Sequence, residues 1–205
     1  MSDTVRIHPT ALIEDGVVIG DGTAIWDGVH VRRGARIGRR CIVGEKSYIA
    51  YDVRIGDFVK INAAVYVCAG VTVEDFVMLS AHVVFTNDRF PRAGNRDLTD
   101  LETSDPTEET LPTRVCRGAT VGANATIGPG LTLGAFSMIG MGAVVTRDVA
   151  DHRLVVGNPA RPVGWVCTCG HPLARDDRPE RPDSCARCGR TWRWEGDRLR
   201  PAGDR

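Results

Sequence analysis

The chain has 205 residues, and its 26 Lys+Arg are matched by 26 Asp+Glu. Zero net charge gives no electrostatic reason to expect a nucleic-acid or membrane-surface partner, and no apolar run reaches the roughly 20 residues of a transmembrane helix. Residues 1–9 lack the basic head and apolar stretch of a secretory signal, so the seven cysteines are expected in a reducing compartment, by default the cytoplasm, as thiols or metal ligands.

From the N-terminus, aliphatic residues recur at every sixth position: Ile7, Ile13, Ile19, Ile25 and Val31, then onward through Ile61, Val67, Val73, Leu79 and Phe85. A small or β-branched residue follows four positions after most of them, as at Val17, Thr23, Val29, Ala35, Cys41 and Ser47. A six-residue period suits neither an α-helix nor a hairpin strand. It suits a coil of three short strands joined by tight corners, with the aliphatic residue pointing into a triangular shaft and coils stacked ~4.8 Å apart. Cys41, Cys68 and Cys116 fall among these repeats and are read as packing residues.

The period breaks over residues 86–114 and resumes at Val115, Val121, Ile127, Leu133, Ile139 and Val145. An expelled loop of this length is a candidate functional element. Its acidic middle (Asp97, Asp100, Glu102, Asp105, Glu108, Glu109) reads as solvated. Its entry, from Phe85 to Arg92, is compact, aromatic and Arg-bearing, as a substrate-facing element would be.

After Trp165 the composition changes. Cys167-x-Cys169-Gly and Cys185-x-x-Cys188-Gly have the look of two zinc-ribbon knuckles, with four thiolates closing a structural tetrahedral site. So short a segment has too little core to fold without such a staple. The first pair is one residue tighter than usual, which leaves His171 as an alternative ligand. The expected organisation is a β-helix over residues 1–165 and a zinc-ribbon-like appendage over 166–205.

Five segments carry a family resemblance: Asn62-Ala-Ala-Val-Tyr66; Val84-Phe-Thr-Asn87 with Pro91-Arg92; residues 117–126; Gly140-Met-Gly-Ala-Val-Val-Thr146; and Val156-Gly-Asn-Pro-Ala-Arg161 on to Trp165. In these the chain resembles the bacterial nucleotide-linked amino-sugar N-acetyltransferases of the hexapeptide-repeat class, across roughly its first four fifths. Met141 stands where that family typically has Ala. The resemblance implies an all-β, left-handed parallel β-helix of hexapeptide repeats. It also implies acetyl-CoA as donor, a UDP- or dTDP-linked amino sugar as acceptor, and a homotrimer with active sites in the grooves between shafts. On this reading Gly140, Ala143, Thr146, Arg147, Asn158 and Arg161 flank acetyl-CoA, and Asn62, Tyr66, Phe85 and Arg92 meet the substrate.

The chemistry is attack of a neutral amine on a thioester carbonyl. Positioning and an oxyanion donor carry most of such a reaction, and a dedicated base is optional. Asn87 is the first choice for holding the amine or the developing oxyanion, with an Asx-turn opening the loop as its plain alternative. His82 is the candidate base, while His8, His30 and His152 are weaker. Scattered histidines argue against a metal-dependent carbonic anhydrase on the same fold. Two other functions compete: acyl transfer to a different amine or hydroxyl, and a non-enzymatic β-helix scaffold whose zinc ribbon binds a partner. The loop entry argues against the scaffold.

Overall fold

The computed structural model describes residues 4–103, 105–108, 110–178 and 180–202; Glu109, one of the acidic loop residues, lies outside them. All regular elements among the described residues are strands, most only two residues long. They stack into three parallel sheets that form the faces of a prism, here called A, B and C in the order the chain visits them. Register is fixed at one coil per 18 residues: Arg6 pairs with Ala24, Ala24 with Ile42 and Ile42 with Lys60 on face A, and Leu12 with His30 and His30 with Tyr48 on face B. This is the solenoid that the six-residue period predicts.

The shaft is filled by the periodic aliphatics. Val31, Val43, Ile49, Val67, Leu79, Val121, Ile127 and Leu133 are all fully buried. Thr23 and Ser47 also point inward, and their hydroxyls donate to the carbonyls of Gly38 and Asn62 at 2.8 and 3.0 Å, which removes the cost of burying them. Cys41 and Cys68 are buried as packing residues, and burial pushes the Cys68 thiol up to about 12; Cys116 is half-buried. Corners take a left-handed backbone, and the A-to-B column runs Gly28, Lys46, Ala64, His82, Asn124, Gly142.

The loop leaves face B after Val84–Phe85 and returns to face C at Thr113–Val115. Across it Met78 still pairs with Thr120, now 42 positions apart instead of 18, so the expulsion leaves the shaft in register.

The last parallel rung of face A, Arg153–Val156, is followed by Arg161–Val166 and Pro172–Arg175, both antiparallel, which extend the same sheet to ten strands. The expected boundary at residue 165 therefore falls inside a strand. A second, small core begins there: Trp165, Cys167, Ala174, Cys185, Trp192 and Leu199. His152 joins the two cores. Its ring stacks on Phe136 at 5.4 Å, meets Trp192 edge-on at 4.8 Å, and hydrogen-bonds through Nδ1 to the carbonyl of Val166 at 3.0 Å.

Candidate active site and four-cysteine cluster

The candidate residues sort along the two edges of face B. Asn62, His82, Gly140 and Ala143 lie on its border with face A; Asn87, Thr146 and Arg147 lie on its border with face C. Tyr66 stands on the face between them. His82 is exposed at its corner, one coil above Ala64 and one below Asn124, as the amide ladder His82 N to Ala63 O and Asn124 N to Ala81 O shows. A face of this size is about 15–20 Å across. Asn87 and His82 of one chain therefore stand at opposite edges rather than side by side.

Asn87 is half-buried at the pinched base of the loop. Its Nδ2 donates to the carbonyl of Ala69 at 3.3 Å, and its own carbonyl accepts from Leu111 N at 3.1 Å. The Asx-turn forms one residue later, where Asp88 Oδ1 accepts from Phe90 N at 2.9 Å. Among the described residues this is the one side-chain hydrogen bond of Asn87, and its Oδ1 and second N–H have no partner there. A cavity of about 730 Å³ opens beside it between the limbs of the loop, lined among others by Asp88, Glu102, Asp105 and Glu108. All four of these carboxylates are exposed, so the acidic stretch is solvated as expected even where it borders the cavity. Arg92 is exposed, with Nη1 donating to the carbonyl of Pro91 at 3.0 Å.

Two expected contacts are corrected. Phe85 is 1% exposed and is among the largest fully buried side chains of the shaft, because it occupies the inward repeat position. Ala143 is likewise fully buried at an inward corner. Neither side chain can touch a ligand. At Gly140 a Cβ would lie 2.7 Å from Val156 Cγ1, so the glycine serves the packing of the last rung. That rung continues on face B: Val144 N donates to the carbonyl of Gly157 at 3.0 Å, and Ala160 N to that of Val144 at 2.8 Å. Asn158 and Arg161 are exposed at its two ends, and the Asn158–Pro159 bond is cis.

Sequence reasoning passed over a polar cluster on the early coils of face B. Glu14 Oε1 pairs with His30 Nε2 at 2.9 Å and Arg32 Nε at 2.7 Å, and Arg32 Nη1 donates to the Tyr48 hydroxyl at 2.7 Å. The Arg33 amide, His30 and Arg32 together outweigh desolvation and hold the Glu14 carboxyl down at about 2. Tyr48 stacks in turn on Tyr66 at 5.2 Å. The signal was available: Glu14 and Arg32, and His30, Tyr48 and Tyr66, are spaced 18 apart, one coil each.

The four cysteines come together. The sulfurs of Cys167, Cys169, Cys185 and Cys188 all lie within 4.8 Å of one another, with Cys167–Cys188 at 3.6 Å and Cys169–Cys185 at 3.7 Å. A tetrahedral zinc with Zn–S bonds of ~2.3 Å has sulfur–sulfur edges of ~3.8 Å, so the donor set fits. Cys167 and Cys185 are buried, Cys169 and Cys188 exposed. His171 contributes its backbone, its carbonyl accepting from Cys167 N at 2.9 Å.

The fold and this periodic shaft define a hexapeptide-repeat β-helix. Its repeats match the family described as bacterial transferase hexapeptide (six repeats) over residues 16–51, and the hexapeptide repeat of succinyl-transferase over residues 34–69 and 112–147. A curated relative, the dTDP-3-amino-3,6-dideoxy-alpha-D-galactopyranose 3-N-acetyltransferase of Aneurinibacillus thermoaerophilus, is 38% identical over 82 residues. The match spans 40% of this chain and 41% of that protein, so the chain aligns with less than half the length of the curated relative. Among solved structures, the acetyltransferase domain of PglB from Neisseria gonorrhoeae FA1090 in complex with acetyl coenzyme A has a TM-score of 0.50 at 22% identity, covering 79% of this chain and 58% of that one. A variant of AntD, an N-acyltransferase from Bacillus cereus, in complex with dTDP and coenzyme A, has a TM-score of 0.51 at 16% identity over 78% and 80% of the two chains. These two likenesses bear on the fold.

Proposed function

We propose that the protein transfers the acetyl group of acetyl-CoA to the amine of a UDP- or dTDP-linked amino sugar. The observation that carries this reading is the match, at 38% identity, to a curated N-acetyltransferase that acts on a dTDP-linked 3-amino sugar. A loop cavity beside Asn87 in the same chain supports it.

The amine must be neutral to attack. A free α-amine titrates near ~8, so an amine on a sugar needs only modest help. Asn87, held by Ala69, points its free amide atoms at the amine or at the oxyanion of the tetrahedral intermediate. Collapse of that intermediate breaks the C–S bond, and the proton lost by the amine ends on the coenzyme's sulfur, directly or through His82 as base. Asn62, Tyr66 and Arg92 meet the nucleotide sugar. Gly140, Thr146, Arg147, Asn158 and Arg161 border the pantetheine arm and phosphates, where the two guanidinium groups are exposed.

The working unit is a homotrimer. Face A carries Ile42, 41% exposed, and face B carries Tyr66 and Val84, 43% and 37% exposed. Face C presents Arg36, Arg54 and Arg114 in one column. Packing A and B against neighbours buries apolar surface and leaves the arginines in water. On this reading the grooves between shafts are where Asn87 of one chain and His82 of its neighbour would share an active site.

The winding is left-handed, the prism is one domain, and the segment beyond residue 165 is a zinc ribbon held by Cys167, Cys169, Cys185 and Cys188. Four protein ligands leave no open position on the ion, so it is structural. No helix among the described residues is long and apolar enough to cross a membrane; the cytoplasm, where acetyl-CoA and reduced thiols coexist, is the compartment this reading requires. The deciding experiment follows thiol release from acetyl-CoA against a panel of UDP- and dTDP-amino sugars. Release with at least one sugar is expected, and none with any of them overturns the proposal.

A further inference from the structure

One strand joins the last rung of the solenoid to the cysteine cluster. Arg161–Val166 pairs on one side with Arg153–Val156, Arg161 opposite Val156 and Trp165 opposite Arg153. On its other side it pairs with Pro172–Arg175 of the ribbon, Trp165 opposite Ala174. Just before it, residues 157–160 are fastened above Val144 on face B; just after it comes Cys167.

The junction is built for close contact. A Cβ on Gly164 would lie 2.2 Å from the carbonyl oxygen of Ala174, so this approach of two backbones is open only to glycine. Trp165 donates Nε1–H to the carbonyl of Asp197 at 3.1 Å and carries the Arg153 guanidinium 3.9 Å above its ring. The ribbon's core comprises six buried residues, two of which are the thiols Cys167 and Cys185. A core that small does not persist without its ion.

We infer that metal occupancy of the cysteine site controls binding of acetyl-CoA through the strand Arg161–Val166. With zinc bound, this strand is central, paired on both sides, and it holds residues 157–161 in place. With zinc removed, the ribbon opens, the strand becomes an edge, and the segment keeps only its support from Val144 and Arg153–Val156. The inference rests on the proposal that Asn158 and Arg161 meet acetyl-CoA. If the segment is then ordered a tenth of the time, the apparent Kd rises ~10-fold.

The test is titration calorimetry of the full-length chain with coenzyme A, in zinc-loaded, chelator-stripped and zinc-restored forms, together with amide hydrogen exchange. Stripping is expected to weaken binding ~10-fold or more and to speed exchange over residues 157–175, both reversed by zinc. The coils between residues 24 and 145 stay protected, and Cys185→Ser behaves as the stripped form. Equal Kd in loaded and stripped protein overturns the inference, as does loss of protection throughout the coils or failure of the purified chain to hold zinc. If the zinc-loaded chain binds no coenzyme A, the acetyl-transfer reading fails first. Altered exchange over residues 157–175 without coenzyme binding distinguishes that failure.

Discussion

Replacing Phe85 with alanine separates packing from recognition at the mouth of the loop. Phe85 lies two residues before Asn87, yet it is 1% exposed and fills the shaft where face B hands the chain to the loop. A buried aromatic covers 150–250 Å², worth about 4–6 kcal/mol at ~25 cal/mol per Å². Measured Phe→Ala changes in cores cluster at about 3–5 kcal/mol because neighbours relax partly into the space. Paired coils on both sides, Tyr66 with Val84 below and Phe85 with Ile127 above, leave little room to collapse, so the upper half of that range is expected. For a chain of this size that corresponds to a Tm lower by about 8–20 °C. Phe85→Leu retains most of the volume and should cost less than ~1.5 kcal/mol. The assay is thermal denaturation beside steady-state kinetics below the new Tm. A Tm within ~2 °C of the parent, with KM for the sugar raised several-fold, would refute the reasoning and return Phe85 to the substrate.

If Asn87 donates to the oxyanion, Asn87→Ala should lower kcat by ~100-fold or more with little change in KM; a milder loss means that it only orients the amine. His82→Ala tests the base: a large drop at neutral and alkaline pH that shrinks as the pH falls assigns it that role, because acid protonates the parent's base as well, and unchanged turnover in both variants removes both residues from the chemistry. His152 is held below the usual histidine range mainly by burial, with Arg200 adding to the effect and the Val166 carbonyl and Asp151 opposing it. The unfolded chain therefore takes up a proton near pH 6.5 that the folded joint refuses. Its contribution to stability is full above that pH and falls as pH drops below it. His152→Phe, which keeps the stack on Phe136, should flatten the Tm-versus-pH curve between pH 7 and 5.5, and identical curves for parent and variant sink this account. Sedimentation at assay concentration is expected to show a trimer, and an active monomer would refute the shared groove.

The six-residue period alone determines the solenoid. Nineteen in-phase aliphatic residues and Phe85 can share one core only if the chain turns every six residues, so Val31 or Leu133 needs no tertiary information to be placed in the shaft. The meeting of the four cysteines was legible from their two Gly-followed pairs, which have the look of a ligand set, and the structure brings their sulfurs within 4.8 Å of one another. Phe85 belongs to the same series and Ala143 stands at the small position four after Ile139, so the period already placed both side chains inward; they drew a ligand role only because they lie inside the family segments. The polar cluster of Glu14, His30, Arg32 and Tyr48 was passed over because its members meet across coils, 16 to 18 positions apart, a spacing that shows only when the sequence is laid out one coil per row. Only the folded prism decided that Asn87 and His82 stand on opposite edges of one face. Only the fold, too, made His152 the joint between shaft and ribbon: which corner a residue turns is set by counting coils, but what packs against that corner is set by a strand that arrives from the far end of the chain.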